Sequence, residues 1–263
     1  MNLAGRTVLL TGATGGLGHA IARRLHREGA RLVLTGRRTE VLEPLAAETG
    51  GQAVAVDLGD LAAVERLATN HAGVDVLVAN AGLSASGHVL SFSVEEIDRA
   101  LAVNLRAPMI LARLIGERMV QRGSGHIVLV SSLSGKAASP RTSVYSATKF
   151  GLRGFAIALR QDLRPAGVGV SAVFPGFVRD AGMYAESGAK LPPGVGTSAP
   201  EEVAEAVIRA VERNRGEVDV APVPMRLGAM IAGVAPEIAA TVTRATGGAK
   251  VGDQFGAGQR SKR

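Results

Sequence analysis

Tyr145 and Lys149 stand four residues apart in the run SVYSATKF, a spacing that on a helix brings both side chains to one face. A phenol, with a reference pKa of about 10, handles protons poorly at neutral pH, but a neighbouring ammonium favours the phenolate and lowers that value by about one to three units. Such a pair predicts general acid–base chemistry, with Tyr145 protonating a developing alkoxide or taking the proton of an alcohol. The spacing alone is common on solvated helices, so the neighbouring residues matter. Ser132 follows the apolar run HIVLV, thirteen residues before Tyr145. At the carboxyl edge of a strand, where open α/β sheets bind ligands, its hydroxyl is placed to hydrogen-bond a substrate oxygen. For the competing Ser131 and Ser134, hydrogen bonds to strand-end and loop backbone are a sufficient role.

A second constellation is TGATGGLG at residues 11–18, between an apolar run and a helical stretch. Gly12 suits a tight turn, Gly16 lets the main chain approach a pyrophosphate, and Gly18 allows close packing of helix on strand. With Thr14, Gly15 and Leu17 they predict a dinucleotide-phosphate site at a helix N-terminus, whose free N–H groups and dipole favour anions.

Both constellations need elements to hold them. Runs rich in Val and Leu recur at 7–10, 31–35, 53–56, 74–79, 126–130, 168–174 and 217–220, and helices are expected at 17–29, 39–49, 60–71, 93–122, 143–165 and 200–213. Consecutive apolar residues, as in VLVAN, mark strands buried on both faces. Strand–helix alternation then predicts one α/β domain with a doubly wound, seven-stranded parallel sheet covered by helices on both faces. Hydrophobic residues make up 46% of the 263 but aromatics only 3%, so the core is expected to consist of Val, Leu, Ile and Ala. Ser93 with Glu96 forms a capping box, and Pro200 with Glu201 and Glu202 opens the last helix. The Gly- and Pro-rich stretch at about 176–198 reads as a lid within a domain spanning 1–221. Residues 222–263 read as an extension: an apolar helical segment at 224–245, interrupted by Pro236, then a basic flexible tail with Lys250, Arg260, Lys262 and Arg263.

The absence of cysteine removes disulfides, thiolate metal sites and Cys nucleophiles, and no metal site is expected. The N-terminal apolar run reads as a first strand rather than a signal peptide, and the chain is expected to be cytoplasmic. The net charge of +7 is spread over residues such as Arg23, Arg24 and Arg27, the pattern of a solvated basic surface. Nucleic acid is therefore not an expected partner.

Taken in order, the Gly-x-x-x-Gly-x-Gly turn, Asp57, Asn80-Ala81-Gly82, Asn104 in VNL, Ser132, Tyr145 with Lys149, and Pro175-Gly176 resemble the short-chain dehydrogenase/reductase family over roughly residues 5–215. The resemblance implies a Rossmann-type fold and hydride transfer between a nicotinamide dinucleotide and a carbonyl or secondary alcohol. It implies that Asp57 and Leu58 meet the adenine, and that Asn80, Ala81 and Gly82 line the cofactor. Lys149 would hold the nicotinamide ribose, Asn104 a water linked to Lys149, and Pro175, Gly176 and Val178 would pass beside the nicotinamide. Where the family often has a Thr, this chain has Asp180. At the end of strand two, RLVLTGRR carries Gly36 in the usual acidic position, followed by Arg37 and Arg38. With no carboxylate to repel a 2′-phosphate and Arg37 to bind it, NADP(H) is expected over NAD. The family also implies pairing through the two long helices, as a homodimer or homotetramer.

Leu83, Ser84, Leu133, Phe177, Met183 and Tyr184 are the candidate substrate-pocket residues, mostly apolar, which favours a small hydrophobic ketone, aldehyde or alcohol. The extension could cover this pocket, form a subunit contact or rest on a membrane surface. Alternative readings are a dinucleotide sensor without turnover and a membrane-surface or nucleic-acid-associated protein. An intact Ser132, Tyr145 and Lys149 argues against a pure sensor.

Overall fold

Seven short apolar runs pair into one parallel sheet in the computed structural model, which describes residues 1–192, 195–245 and 248–260. They are β1 (Thr7–Leu10), β2 (Arg31–Gly36), β3 (Gln52–Ala55), β4 (Val76–Ala79), β5 (Gly125–Val130), β6 (Val168–Pro175) and β7 (Glu217–Val220), each within two residues of its expected bounds. Across the sheet the order is β3-β2-β1-β4-β5-β6-β7. The chain winds outward from β1 to β3, then restarts beside β1 with β4 and winds the other way. Loops leaving β1 and β4 therefore diverge, and a crevice opens at their carboxyl ends.

Strand alternation divides the core into two layers. Val8 and Leu10 pack on one side with Ile21 and Leu25 of α1 (Gly16–Arg27), Leu42 of α2 (Thr39–Thr49) and Val203 and Val207 of α8 (Pro200–Glu212). Leu9 faces the other layer, with Leu67 of α3 (Leu61–Asn70), Leu111 and Ile115 of α5 (Ala107–Arg122) and Leu152 of α6 (Ser143–Leu163). Aliphatic residues fill both layers, and Phe174 of β6 is among the largest fully buried side chains.

The helix expected over 93–122 is interrupted. It begins with the reciprocal Ser93–Glu96 capping box of α4 (Val94–Leu101), loosens into a π turn over Ala102–Arg106, and resumes as α5. Pro108 supplies a local cause: it lacks the N–H that a regular helix would return to the Asn104 carbonyl.

Between β6 and α8, the segment read as a structureless lid is tied at its base. Val178 and Ser198 form a parallel bridge, with the Ser198 N–H donating to Phe177 and the Arg179 N–H to Ser198, both at 2.9 Å. Inside it lies a short helix, α7 (Gly182–Ser187). The extension forms three helices, α9 (Val223–Val234), α10 (Pro236–Ala245) and α11 (Gly248–Gly258). Pro236 starts α10 rather than kinking a longer helix, and Lys250, expected in a flexible tail, belongs to α11. Lys262 and Arg263 lie outside the described residues. Among the described residues no helix is long and apolar enough to cross a membrane.

Candidate active site

The turn after β1 and the turn after β4 are joined by side chains. Gly12 has φ +68°, and a Cβ there would lie 2.7 Å from the Ala81 Cα, so conformation and close approach both call for glycine. The buried Thr11 hydroxyl accepts the N–H groups of Asn80 and Ala81, each at 3.1 Å. The Asn80 amide donates back to the carbonyls of Thr11 (3.0 Å) and Gly12 (3.2 Å). Asn80 thus holds the crevice together, and Thr11 is a partner that motif spacing does not single out.

Helix α1 then starts at Gly16 with Gly15 as a cap that makes no side-chain hydrogen bond, and with no acid in the first turn. An anion can meet its leading amides without competition from a capping oxygen. A Cβ on Gly16 would come within 2.6 Å of the Ala181 Cβ, so in this structure the close approach at Gly16 is made by the lid. At the tip of β2, a Cβ on Gly36 would meet the Thr14 side chain, Arg38 donates to the Thr14 carbonyl, and Arg37 is exposed at the cavity rim. The Asp57 carboxylate already has partners: the Gly59 N–H at 2.9 Å and Arg99 at 3.0 Å. Burial pushes this carboxyl upward, but the Gly59 N–H, Arg99 and the charge of Arg37 outweigh it and hold Asp57 below its ordinary value.

On the far side of the crevice, Ser132, Tyr145 and Lys149 face one space. The Ser132 hydroxyl donates to the Pro175 carbonyl at 3.5 Å and accepts the Ser134 N–H at 3.1 Å. The Lys149 ammonium lies 5.6 Å from the centroid of the Tyr145 ring and donates to the Val130 carbonyl at 3.1 Å. Ser131 instead binds backbone, donating to the Lys149 carbonyl at 3.1 Å. One electrostatic expectation is reversed. Burial pushes the Tyr145 phenol up to about 12, against the lowering effect of the Ser132 hydroxyl, and depresses Lys149 to about 8. Dehydration of both groups outweighs the attraction of an ammonium at this separation.

Asn104 sits behind this cluster and does not line the cavity. Placed by the π turn, its Oδ1 accepts the Leu83 N–H at 2.7 Å, and its Nδ2 donates to the Leu83 carbonyl at 3.0 Å and to Thr148 at 3.4 Å. These bonds satisfy a fully buried amide and fix the Gly82–Leu83 backbone against α6.

Every other expected site residue lines one cavity of about 840 Å³, which runs from the glycine turn and the tip of β2 to Ser132, Tyr145 and the lid. Leu58, Val178, Leu133 and Ser84 are buried in its wall, and Phe177 and Tyr184 pack ring to ring with centroids 5.2 Å apart. Asp180 is exposed, with φ +66° and its carboxylate 3.5 Å from Arg179, so it points away from the cavity while Ala181 and Gly182 face it. A Cβ built on Gly82 would stand at ordinary contact distance, 3.5 Å from Asn104 Oδ1 and 3.7 Å from Lys149 Nζ, so this turn runs directly beside the ammonium. Sequence reasoning also missed Met225 and Ala229 of α9, Val251 and Phe255 of α11, and Gln259 just after it, all in the wall. Their only signal was the apolar character of the extension.

Sheet order, switch-point crevice and the loops meeting there define a doubly wound α/β protein of the Rossmann type. A family model described as short chain dehydrogenase matches residues 6–192. The chain belongs to the short-chain dehydrogenase family, a family of oxidoreductases. It is 40% identical to the ketoacyl reductase HetN of Nostoc sp., over 83% of this chain and 79% of that protein. Among solved structures, a short-chain dehydrogenase from Sphingobium yanoikuyae in complex with NADPH is 29% identical with a TM-score of 0.77, covering 89% of this chain and 95% of that one. A bulky-bulky ketone specific alcohol dehydrogenase from Comamonas testosteroni is 28% identical with a TM-score of 0.71, covering 83% and 86%.

Proposed function

We propose that this protein is an NADP(H)-dependent reductase of hydrophobic ketones or aldehydes, able to run in reverse on the corresponding alcohols. The observation that carries this reading is the Ser132–Tyr145–Lys149 cluster, buried in the same cavity as the glycine turn. Gly12 to Gly18, Asn80 to Gly82, and Pro175 to Val178 would hold a nicotinamide dinucleotide, with its phosphates at the start of α1. The uncapped helix start, at one end of the same cavity, suits such a group. Arg37, beside Gly36 where a carboxylate would otherwise repel it, favours the 2′-phosphorylated form. The NADPH complex of the Sphingobium relative supports the same preference.

The bound nicotinamide supplies or accepts the hydride. Ser132 donates a hydrogen bond to the substrate oxygen and orients it toward Tyr145. In reduction the phenol gives its proton to the developing alkoxide, and the nearby Lys149 ammonium steadies the phenolate left behind. A phenol held near 12 is fully protonated at neutral pH, the form that reduction needs. Asn104 acts as a positioning residue, through the Leu83 backbone.

A panel of carbonyls and alcohols, followed at the nicotinamide absorbance with NADP(H) and NAD(H) in turn, tests this reading. Stoichiometric oxidation of NADPH with an apolar ketone, at a higher kcat/KM than with NADH, is the expected result. Tight cofactor binding without turnover of any carbonyl or alcohol would sink it in favour of a sensor.

A further inference from the structure

We propose that α11 is a specificity helix, with Phe255 setting the length of the apolar group that the substrate carries beyond its carbonyl; this rests on the oxidoreductase reading above. Val251 and Phe255 stand four residues apart on one face of α11, and both line the cavity together with Gln259, which directly follows the helix. The adjoining small face of the helix sets its position. A Cβ on Gly252 would lie 2.7 Å from the Pro140 carbonyl, and one on Gly256 would lie 2.9 Å from the Gly87 Cα. One on Gly258 would lie 2.0 Å from the Ser187 carbonyl. The helix thus lies directly against the loop after β4, the loop leading to Tyr145, and the lid.

Polar contacts secure two of these neighbours, the loop leading to Tyr145 and the lid. Arg141 pairs with Asp253, the Lys190 N–H donates to Gln254 at 3.2 Å, and Gln259, 1% exposed, donates to the Met183 carbonyl at 2.9 Å. Phe255 is consequently held at a fixed place in the wall rather than swinging on a loose tail.

The chemistry of this end of the cavity selects the ligand. Among the described residues that the lid and the extension contribute to the wall, none is Lys or Arg, Glu186 is the sole carboxylate, and most are apolar. The cations of the cavity, Arg37, Arg38, Arg99 and Lys149, sit at the β2 rim, beside Asp57 and beside Tyr145. An anionic tail would find no partner at the α11 end, whereas an uncharged aliphatic or aryl group fits. The family match ends at residue 192, so α11 belongs to a part of the chain outside it, while the lid residues of this wall lie within it.

The test uses a homologous series of straight-chain methyl ketones, with both turnover and equilibrium binding measured on wild type, Phe255→Ala, Phe255→Trp and Val251→Phe. Phe255→Ala should raise kcat/KM and affinity about tenfold for ketones longer than the wild-type optimum, and change the shortest substrates by less than about threefold. Phe255→Trp and Val251→Phe should move the optimum to shorter chains. Because two of the variants enlarge a side chain and one reduces it, opposite shifts of the optimum separate a wall from a general loss of folding. Turnover with an unchanged length profile in all three variants overturns the role of α11 while leaving the oxidoreductase reading intact. A shifted binding profile without turnover in any protein keeps the wall and sinks that reading instead.

Discussion

At the scale of single residues, the decisive pair is a phenol and an amine that are both short of water. Removing only the phenolic oxygen with Tyr145→Phe should lower kcat by about 10² to 10⁴ and leave cofactor affinity near that of wild type, because the general-acid contribution alone is lost. Single-turnover kinetics beside a cofactor titration check this, and an unchanged kcat would remove Tyr145 from the chemistry. Lys149 makes a separate prediction about stability. Its amine falls from 10.5 in the unfolded chain to about 8 when folded, so between those values the unfolded chain binds more protons. Stability carried by the neutral amine is present above the higher value and lost as pH falls through the lower one. Wild type should therefore lose ground against Lys149→Met as pH drops from about 10 to about 8, and the gap should level off below that. Thermal melts of both proteins across this range measure it, and a gap independent of pH would show that the amine is not buried as described.

At the scale of elements, the parallel strands were readable because strands buried on both faces carry consecutive apolar residues, and the glycine turn and Ser132 because they follow such runs directly. What stayed hidden depends on contacts between distant segments. Pro108 marks a local break that VNL itself does not announce, whereas Thr11 gains its role only when β4 arrives beside β1. With glycine at 248, 252, 256 and 258, α11 looks unlike a helix, because glycine disfavours helix in isolation. Those same glycines permit its close packing on α10, on the loops at Pro140 and Gly87, and on the end of α7, and tertiary contact overrides the propensity. Lys149 beside Tyr145 was visible from spacing, but the direction of their pKa shifts was not, since burial is set by the whole fold. The π turn has its own consequence. Asn104→Leu would leave the buried N–H and carbonyl of Leu83 unpaired, at a cost of about 2–4 kcal/mol. Tm should fall by roughly 5 °C or more. The KM for cofactor should rise as the Gly82–Leu83 backbone loosens, with a smaller change in kcat. Asn104→Asp, which keeps the acceptor for the Leu83 N–H, should lie between wild type and Leu. If Leu and wild type melt together, the amide is not what holds that loop.

At the scale of the whole molecule, α5 and α6 present an apolar groove on the flank away from the cavity, lined by Met109, Gly116, Val120, Phe155 and Leu159. Met109 and Val120 are 37% and 38% exposed, and the Arg113–Glu117 pair lies on the same stretch of α5. Pairing through these two helices, which the family resemblance implies, would take this surface out of water together with the ion pair that lines it. Two carboxylates placed there would compete with Glu117 for Arg113, the cation among the groove's lining residues, and so leave unpaired charge buried in the assembled protein yet harmless in a lone subunit, a cost of several kcal/mol borne by assembly alone. Wild type is therefore expected to scatter light as a dimer or tetramer at micromolar concentration, with a Tm that rises with protein concentration. Met109→Glu combined with Val120→Glu should give a folded monomer whose Tm no longer depends on concentration. Since Ser132, Tyr145 and Lys149 all come from one subunit, that monomer should retain cofactor binding. A wild type that is already monomeric, or a double variant that still assembles, would place the contact elsewhere on the surface.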